Sequence, residues 1–170
     1  MIKMQHPEYE MFTAGSTHYN AGVACADCHM PYTRDGAAKF STHDVRSPLL
    51  NAETACGACH TDVKYATERV ATIQEQVADT MSDTEDALVA AIDAIKLAAA
   101  DPKADQTLLN EARTLHRKAQ LRWDFVAAEN SMGFHNPEEA LRILAAATDL
   151  ARQAQIKALQ ATGAAPSANN

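Results

Sequence analysis

The chain has 170 residues, the size of one ordinary domain, with 15 lysine and arginine residues against 22 aspartate and glutamate residues, for a net charge of −7. This acidic balance argues against nucleic-acid binding, because the protein would repel phosphates instead of releasing their counterions. Hydrophobic residues make up 46% of the chain but aromatic residues only 5%, and no stretch reaches the roughly 18 apolar residues of a membrane helix. We therefore expect closely packed helices and no transmembrane segment.

Residues 1–60 form the first predicted region, and they contain all four cysteines and most of the histidines. Neither helical nor strand periodicity is evident there, which indicates irregular chain organised around bound groups. The opening residues also lack the apolar stretch of a secretory signal peptide.

The four cysteines form two CxxCH motifs, Cys25–His29 and Cys56–His60. Two thiols at this spacing can add to the two vinyl groups of one porphyrin, and the histidine that follows can reach its iron. The motifs therefore predict two haem c groups, attached through Cys25 and Cys28 and through Cys56 and Cys59. A zinc site with four thiolate ligands is the alternative, but it gives no reason for a histidine after each pair.

Each haem needs a distal ligand, and bis-histidine ligation fits because no methionine lies in an obvious ligand loop. The candidates are the five other histidines: His6, His18, His43, His116 and His135. We expect His116 to lie on the surface of a helix. His135 stands just before a helix start, where its side chain can point inward.

Residues 61–163 predict three long helices, so the expected fold class is mainly α. The absence of Gly and Pro between Gly57 and Pro102, with apolar residues at helical spacing, predicts one helix of about 38 residues. A second helix is expected from Asp101-Pro102 to near Ser131, and a third from Asn136-Pro137 to near Gln160. The small, polar tail at 164–170 is expected to be disordered.

Several strings resemble those of the pentahaem cytochrome c nitrite reductases, the ammonia-forming enzymes. The most specific is Lys3-Met4-Gln5-His6-Pro7-Glu8, because multihaem electron carriers share CxxCH but not this string. The others are the segments around the two motifs, Ser47–Asn51, Arg117–Asp124 and Gly133-Phe134-His135.

The resemblance implies roles for individual residues. The carbonyl of Lys3 and the side chain of Gln5 would bind a structural calcium ion, since hard cations take oxygen ligands. His6 would be the catalytic histidine and would donate hydrogen bonds or a proton to nitrite at the catalytic haem.

The resemblance also implies the haem ligands. His29 and His135 would ligate one iron of this chain, and His60 and His18 would ligate the other. His43 would be the distal ligand of a haem attached outside this chain.

The family's catalytic haem is attached through a CxxCK motif, which this chain lacks. The resemblance therefore implies the C-terminal part of a five-haem periplasmic enzyme that reduces nitrite to ammonium with six electrons, and a chain that is inactive alone. The export signal would lie in upstream sequence. A quinol-linked protein or a periplasmic cytochrome would supply electrons, and the long helices would form a homodimer.

Two other functions remain open at this point. A non-catalytic dihaem electron-transfer protein would need only the two motifs and two distal histidines, which leaves His6 and His43 without roles. A helical dimerisation remnant without haem would need none of the motifs.

Overall fold

The computed structural model describes residues 5–163, and helices dominate them, which confirms the predicted mainly α fold. Lys3 and the tail at 164–170, for which we predicted a calcium contact and disorder, lie outside the described residues. The elements in chain order are α1 (Glu8–Thr13), α2 (Thr17–Asn20), α3 (Cys25–His29), β1 (Tyr32–Asp35), β2 (Ala38–Ser41), a 3₁₀ helix (Pro48–Asn51), α4 (Ala52–Ala55), α5 (Val63–Ala100), α6 (Gln106–Ala127) and α7 (Pro137–Ala161).

Helix α5 has 38 residues, which confirms the predicted length. It begins where Asp62 accepts a hydrogen bond from the backbone N–H of Tyr65 at 2.8 Å, a bond that satisfies one of the free donors of the first turn. Helix α7 also begins as expected, because the side chain of Asn136 accepts from the N–H of Glu139 at 3.2 Å and Pro137 occupies the first turn.

The predicted bounds of α6 are wrong at both ends. The helix begins at Gln106 instead of Asp101-Pro102, because residues 101–104 form a tight turn and the carboxylate of Asp105 accepts from two N–H groups of the first helical turn. The N–H of Asp105 itself donates to the carbonyl oxygen of Ala161 at 2.9 Å, which ties the start of α6 to the end of α7. Helix α6 then ends at Ala127, before Ser131.

The core lies where α7 packs against both α5 and α6. The buried positions of α7 alternate between spacings of three and four, and alanine occupies all of them but Leu144. Such small side chains let helix axes approach closely, and the seven-residue repeat is typical of coiled-coil packing. Among residues 5–163, no helix combines the length and the apolar character needed to cross a bilayer.

The second half of α5 departs from the expected apolar face. Ile92, one of the apolar residues at helical spacing, is 43% exposed, and Leu97 is 70% exposed. After Leu88 the buried residues of α5 are Ala91, Ala94 and Ala98, and the last two pack in a cluster with alanines of α6 and α7.

Residues 5–60 are less irregular than expected, because they contain four short α-helices, a 3₁₀ helix and a hairpin. Strands β1 and β2 are antiparallel, with Tyr32 opposite Ser41 and Asp35 opposite Ala38. The turn between them begins at Gly36 with a φ of 58°, a conformation that glycine adopts without a steric penalty.

Helix α1 is anchored to the long helices through Met11. Its side chain is fully buried in the cluster formed by Val77, Val126 and Leu144. The amide of Asn136 also donates to the carbonyl oxygen of Met11 at 3.2 Å. This anchor holds the N-terminal residues beside the loop that joins α6 to α7.

Candidate haem and active-site region

The first motif, Cys25–His29, forms α3 in its entirety. The carboxylate of Asp27 accepts from the N–H of Ala24 at 2.7 Å and stabilises the start of this short helix. A helical turn places Cys25 and Cys28 on neighbouring positions of one face, with Cys25 exposed and Cys28 half-buried. Both thiols can therefore be reached from the same side.

The second motif, Cys56–His60, continues from the end of α4 as a helical turn. The N–H groups of Cys59 and His60 both donate to the carbonyl oxygen of Cys56, at 3.1 and 2.8 Å. Cys56 is half-buried and Cys59 is exposed, so each motif has one exposed and one half-buried thiol, in opposite order along the chain.

The two motifs lie close together. Burial raises the pKa of the Cys28 thiol, and the neighbouring Cys56 raises it further. Burial also raises the pKa of Cys56. Both thiols are therefore protonated at neutral pH, as free thiols and not thiolates.

The structure brings His29 and His135 together. Their ring centres are 6.2 Å apart, with an angle of 61° between the ring planes. The Nδ1 atom of His29 lies 3.1 Å from the carbonyl oxygen of Arg46, and the Nδ1 atom of His135 is hydrogen-bonded to the carboxylate of Glu129. Each ring therefore has its Nδ1 atom engaged, which leaves Nε2 as the atom available to a metal.

The structure also brings His18 and His60 together. Their ring centres are 6.3 Å apart, with 76° between the planes, and the ring of Phe134 lies 5.8 Å from that of His18. Burial lowers the pKa of His18, and the neighbouring His60 and His135 lower it further. His18 therefore favours the neutral imidazole, the form that binds a metal.

These ring separations fit the predicted haem ligation. Two metal–nitrogen bonds of about 2 Å each, with the distance from nitrogen to ring centre added on both sides, place two axial imidazoles about 6 Å apart. The planes of axial imidazoles can take any angle about the line that joins them, so 61° and 76° are both compatible. His116 belongs to neither pair.

The alternative zinc site is not formed by the four cysteines. Within residues 5–163, no three or more Cys, His, Asp or Glu side chains converge in a way that could hold a metal ion. The two pairs of histidines fit a group that inserts between the rings better than a compact ion.

His6 and Gln5 are exposed at the N-terminal edge of this region. The side chain of His6 is 80% exposed, and its Nδ1 atom lies 3.7 Å from a carboxylate oxygen of Glu8. The backbone of His6 has a φ of 51°, a left-handed conformation that is uncommon for residues with a side chain. Glu8 in turn accepts from the N–H and from the side-chain amide of Asn130.

His43 lies in the exposed chain after β2, and its neighbours Thr42 and Asp44 line a small pocket with Cys28 and His29. His116 lies in the middle of α6, as expected, but it is half-buried and its Nε2 atom is enclosed without a hydrogen-bond partner. Burial lowers the pKa of His116. We expected a surface position there, and the packing of α6 against its neighbours accounts for the difference.

No sequence motif pointed to Glu129 as a functional residue. Its side chain is fully buried, and its carboxylate accepts from Ser131 N–H at 3.0 Å, Ser131 Oγ at 2.8 Å and Gly133 N–H at 3.0 Å, besides its bond to His135. Burial alone would raise the pKa of Glu129, but the hydrogen bonds from His135, Gly133 and Ser131 outweigh burial and lower it. Glu129 is therefore an ionised carboxylate beside a candidate ligand.

Comparisons with known proteins place these features in context. A family model described as cytochrome c552 matches residues 1–169. The chain is 43% identical over 170 residues to the cytochrome c nitrite reductase subunit NrfA of Nitratidesulfovibrio vulgaris, covering 95% of this chain and 32% of the relative. It is 40% identical over 163 residues to a cytochrome c-552 of Aliarcobacter butzleri.

Among solved structures, the cytochrome c nitrite reductase of Desulfovibrio desulfuricans, described with two calcium sites in its catalytic subunit, is similar with a TM-score of 0.89 and 42% identity. That similarity covers 96% of this chain and 35% of the solved chain. The chain thus spans about a third of the length of the relatives that it matches.

Proposed function

This chain belongs to the cytochrome c552 family, and on that premise we propose that it is the C-terminal part of an enzyme that reduces nitrite to ammonium with six electrons. The similarity to a cytochrome c nitrite reductase subunit over 95% of this chain supports the proposal. The alternative of a separate dihaem electron carrier is not favoured, because it gives no role to the segment around His6, which lies within the matched residues.

In this proposal the chain holds two haem c groups. Cys25 and Cys28 would attach one haem between His29 and His135. Cys56 and Cys59 would attach the other between His60 and His18. The observation that carries the proposal is the separation of 6.2 and 6.3 Å between the rings of these two pairs.

Each haem, when bound, supplies a one-electron carrier whose potential the surrounding protein sets. The chain's own part would be to hold the two imidazoles that ligate each iron in place. The aromatic rings of Phe12 and Phe134 pack against His135 and His18, at 6.2 and 5.8 Å between ring centres, and so limit their motion.

His6 would be the catalytic histidine of this chain. Its exposed ring is free to donate a hydrogen bond or a proton to nitrite, and reduction of nitrite to ammonium and water consumes eight protons with the six electrons. Glu8, held by Asn130, is placed to orient the ring. The left-handed backbone at His6 supports a role beyond structure, because such conformations are concentrated at functional sites.

The roles that we propose for Gln5 in calcium binding and for His43 in haem ligation are supported by the exposure of both residues and by the similarity to known relatives. Gln5 is exposed and could offer its amide oxygen to calcium together with the carbonyl of Lys3, in keeping with a solved relative that has two calcium sites. His43 is exposed and could ligate the iron of a haem held by another part of the enzyme.

The partners follow from the same proposal. Nitrite would be the substrate, and a quinol-linked protein or a periplasmic cytochrome would supply electrons in the periplasm. A homodimer would form through the long helices, which is supported by the exposed apolar side chains of Val89, Ile92 and Leu97 on α5. Water-exposed apolar residues on one helix favour a partner surface.

The test is nitrite-dependent ammonium formation by the matured full-length enzyme, with a chemical electron donor. We expect His6→Ala to lower turnover by about 10²-fold or more, as loss of a proton donor does. His116→Ala is the matched control, since it removes a histidine of α6 that belongs to neither histidine pair. Equal turnover of the His6→Ala variant and the wild type would contradict the catalytic role.

A further inference from the structure

Glu129 stands directly behind one of the proposed iron ligands. It lies in the loop between α6 and α7, and its carboxylate is hydrogen-bonded to the Nδ1 atom of His135. The side chain is fully buried, whereas that of His135 is 21% exposed. Burial of a carboxylate destabilises the fold unless hydrogen-bond donors satisfy it. The buried position of Glu129 therefore indicates that the surrounding groups stabilise its charge.

The loop itself is built to hold this carboxylate. Ser131 donates to it through both its N–H and its hydroxyl, and Gly133 donates through its N–H. The Ser131 hydroxyl also accepts from the N–H of His135 at 2.8 Å. Met132 and Gly133 both have left-handed backbones, with φ of 53° and 80°, and this local geometry turns the N–H groups of the loop towards Glu129.

The contact fixes which nitrogen of His135 can bind a metal. A hydrogen on Nδ1 that is donated to Glu129 leaves the lone pair of Nε2 free. On the opposite ring, the Nδ1 atom of His29 faces a neutral backbone carbonyl, that of Arg46. Among residues 5–163, neither His18 nor His60 has a hydrogen-bonded carboxylate behind its ring, so the two pairs differ in charge.

We propose that Glu129 is a positioning residue that holds His135 in its ligating orientation and lowers the reduction potential of the haem attached to Cys25 and Cys28. The inference rests on the proposed function, because it needs that haem to lie between His29 and His135. A carboxylate behind an axial imidazole makes the ligating nitrogen more basic. It also adds a negative charge near the iron, and both effects stabilise the ferric state over the ferrous state.

The consequence concerns the direction of electron flow. A haem with a lowered potential is a stronger reductant towards its neighbours, and the two motifs lie close together. Glu129 would thus set a difference in potential between two haems whose axial ligands are otherwise the same.

The experiment is a spectroscopic redox titration of the matured full-length enzyme and of three variants in the loop. We expect Glu129→Gln to shift one low-spin component to a higher potential, because the charge is lost while the shape is kept. Glu129→Asp keeps the charge and should restore much of the low potential. Ser131→Ala removes a donor to the carboxylate but not the charge, so the carboxylate becomes a stronger acceptor for His135 and the potential of the same component should fall.

The directions in which the reduction potential shifts in these variants distinguish an electrostatic role of Glu129 from a general disturbance of the loop. A mere disturbance would move the Glu129→Gln and Ser131→Ala variants in the same direction, and a rise in both would overturn the inference. An unchanged or lower potential in Glu129→Gln would also overturn it. If Glu129→Gln does not assemble with its haems, Ser131→Ala decides alone, because a fall in its potential supports the inference and an unchanged or higher potential contradicts it.

The proposed function and this inference fail in different ways. If His135→Ala leaves every bis-histidine haem low-spin, the proposed ligation is wrong whatever Glu129 does. If His135→Ala turns one haem high-spin while Glu129→Gln leaves all potentials in place, the ligation stands and only the role of Glu129 fails.

Discussion

The rings of His18 and His60 lie 6.3 Å apart, although His18 belongs to α2 and His60 follows α4. Phe134, from the loop between α6 and α7, also packs against His18, with 5.8 Å between the ring centres. The same loop carries His135, whose ring lies 6.2 Å from that of His29. Three short N-terminal helical segments supply His18, His29 and His60, and one loop of the helical region supplies His135. The His29–His135 pair therefore joins the two regions of the chain, and Phe134 brings the same loop to the other pair.

Removing a distal histidine should change the spin state of one haem. His18→Ala and His135→Ala should each convert one haem of the matured full-length enzyme from low-spin to high-spin, because an iron that loses one strong axial ligand has a weaker ligand field. The measurement is the electronic absorption and electron paramagnetic resonance spectrum of the ferric protein.

His116→Ala is the matched control for that test. His116 lies in mid-α6 with its Nε2 atom enclosed and unbonded, so all haems should remain low-spin. A high-spin haem in His116→Ala, with unchanged spectra for His18→Ala and His135→Ala, would mean that His116 is a distal ligand and the proposed ones are not.

Gly133→Ala should destabilise the loop that carries His135. A Cβ atom at Gly133 would lie 2.7 Å from a methyl group of Val77, and the φ of 80° is strained for any residue with a side chain. Together these costs are about 2–4 kcal/mol, which thermal unfolding should report as a lower Tm.

Gly15→Ala provides the comparison. Gly15 has a φ of 91°, but nothing lies within 4 Å of a Cβ at that position. Gly15→Ala should therefore lower the free energy of unfolding only through backbone strain, by about 1–2 kcal/mol. Equal losses of Tm in the two variants would mean that the contact with Val77 is not limiting.

Met11→Ala should loosen α1 and with it the segment that carries His6. Met11 is fully buried against α5, α6 and α7, and truncation of a buried methionine costs about 2–5 kcal/mol. We expect a lower Tm and a lower rate of nitrite reduction in the full-length enzyme. Tyr9→Ala, on the same helix but 71% exposed, should change the Tm little; a larger loss of Tm from Tyr9→Ala than from Met11→Ala would contradict the anchoring role.

The burial of His116 predicts a pH dependence of stability. Because burial lowers its pKa in the folded chain, the unfolded chain binds this proton more readily. The folded state is therefore penalised as the pH falls below about 6.5, the ordinary histidine value. His116→Gln should reduce the loss of Tm between about pH 7.5 and pH 5, and a loss as large as that of the wild type would argue against this origin.

The long helices could be predicted because their signals are local. The cap and proline at Asn136-Pro137 mark the start of α7, and the absence of Gly and Pro marks the length of α5. The start of α6 could not be predicted, because Asp101 and Asp105 are both capable caps. Which of the two begins the helix depends on a hydrogen bond between residues far apart in sequence, from the N–H of Asp105 to the carbonyl oxygen of Ala161.

In the candidate site, too, only the features with local sequence signals could be predicted from the residues. The two CxxCH motifs are local, so they could be read directly, whereas the partner of each proximal histidine depends on the fold and came only from the resemblance. Glu129 was missed because its role depends on the left-handed turn at Met132 and Gly133, which directs three donors towards its carboxylate. The hairpin had a local signal in Asp35-Gly36 that the sparse periodicity around it obscured.

The most direct test of the two haem sites is the mass of the peptides that contain Cys25–His29 and Cys56–His60, taken from the full-length protein after export and maturation. We expect each peptide to be heavier than its sequence by one covalently attached haem, since each motif offers two reachable thiols. Peptides at their unmodified mass, from a protein with free thiols or bound zinc, would contradict the proposed haem sites.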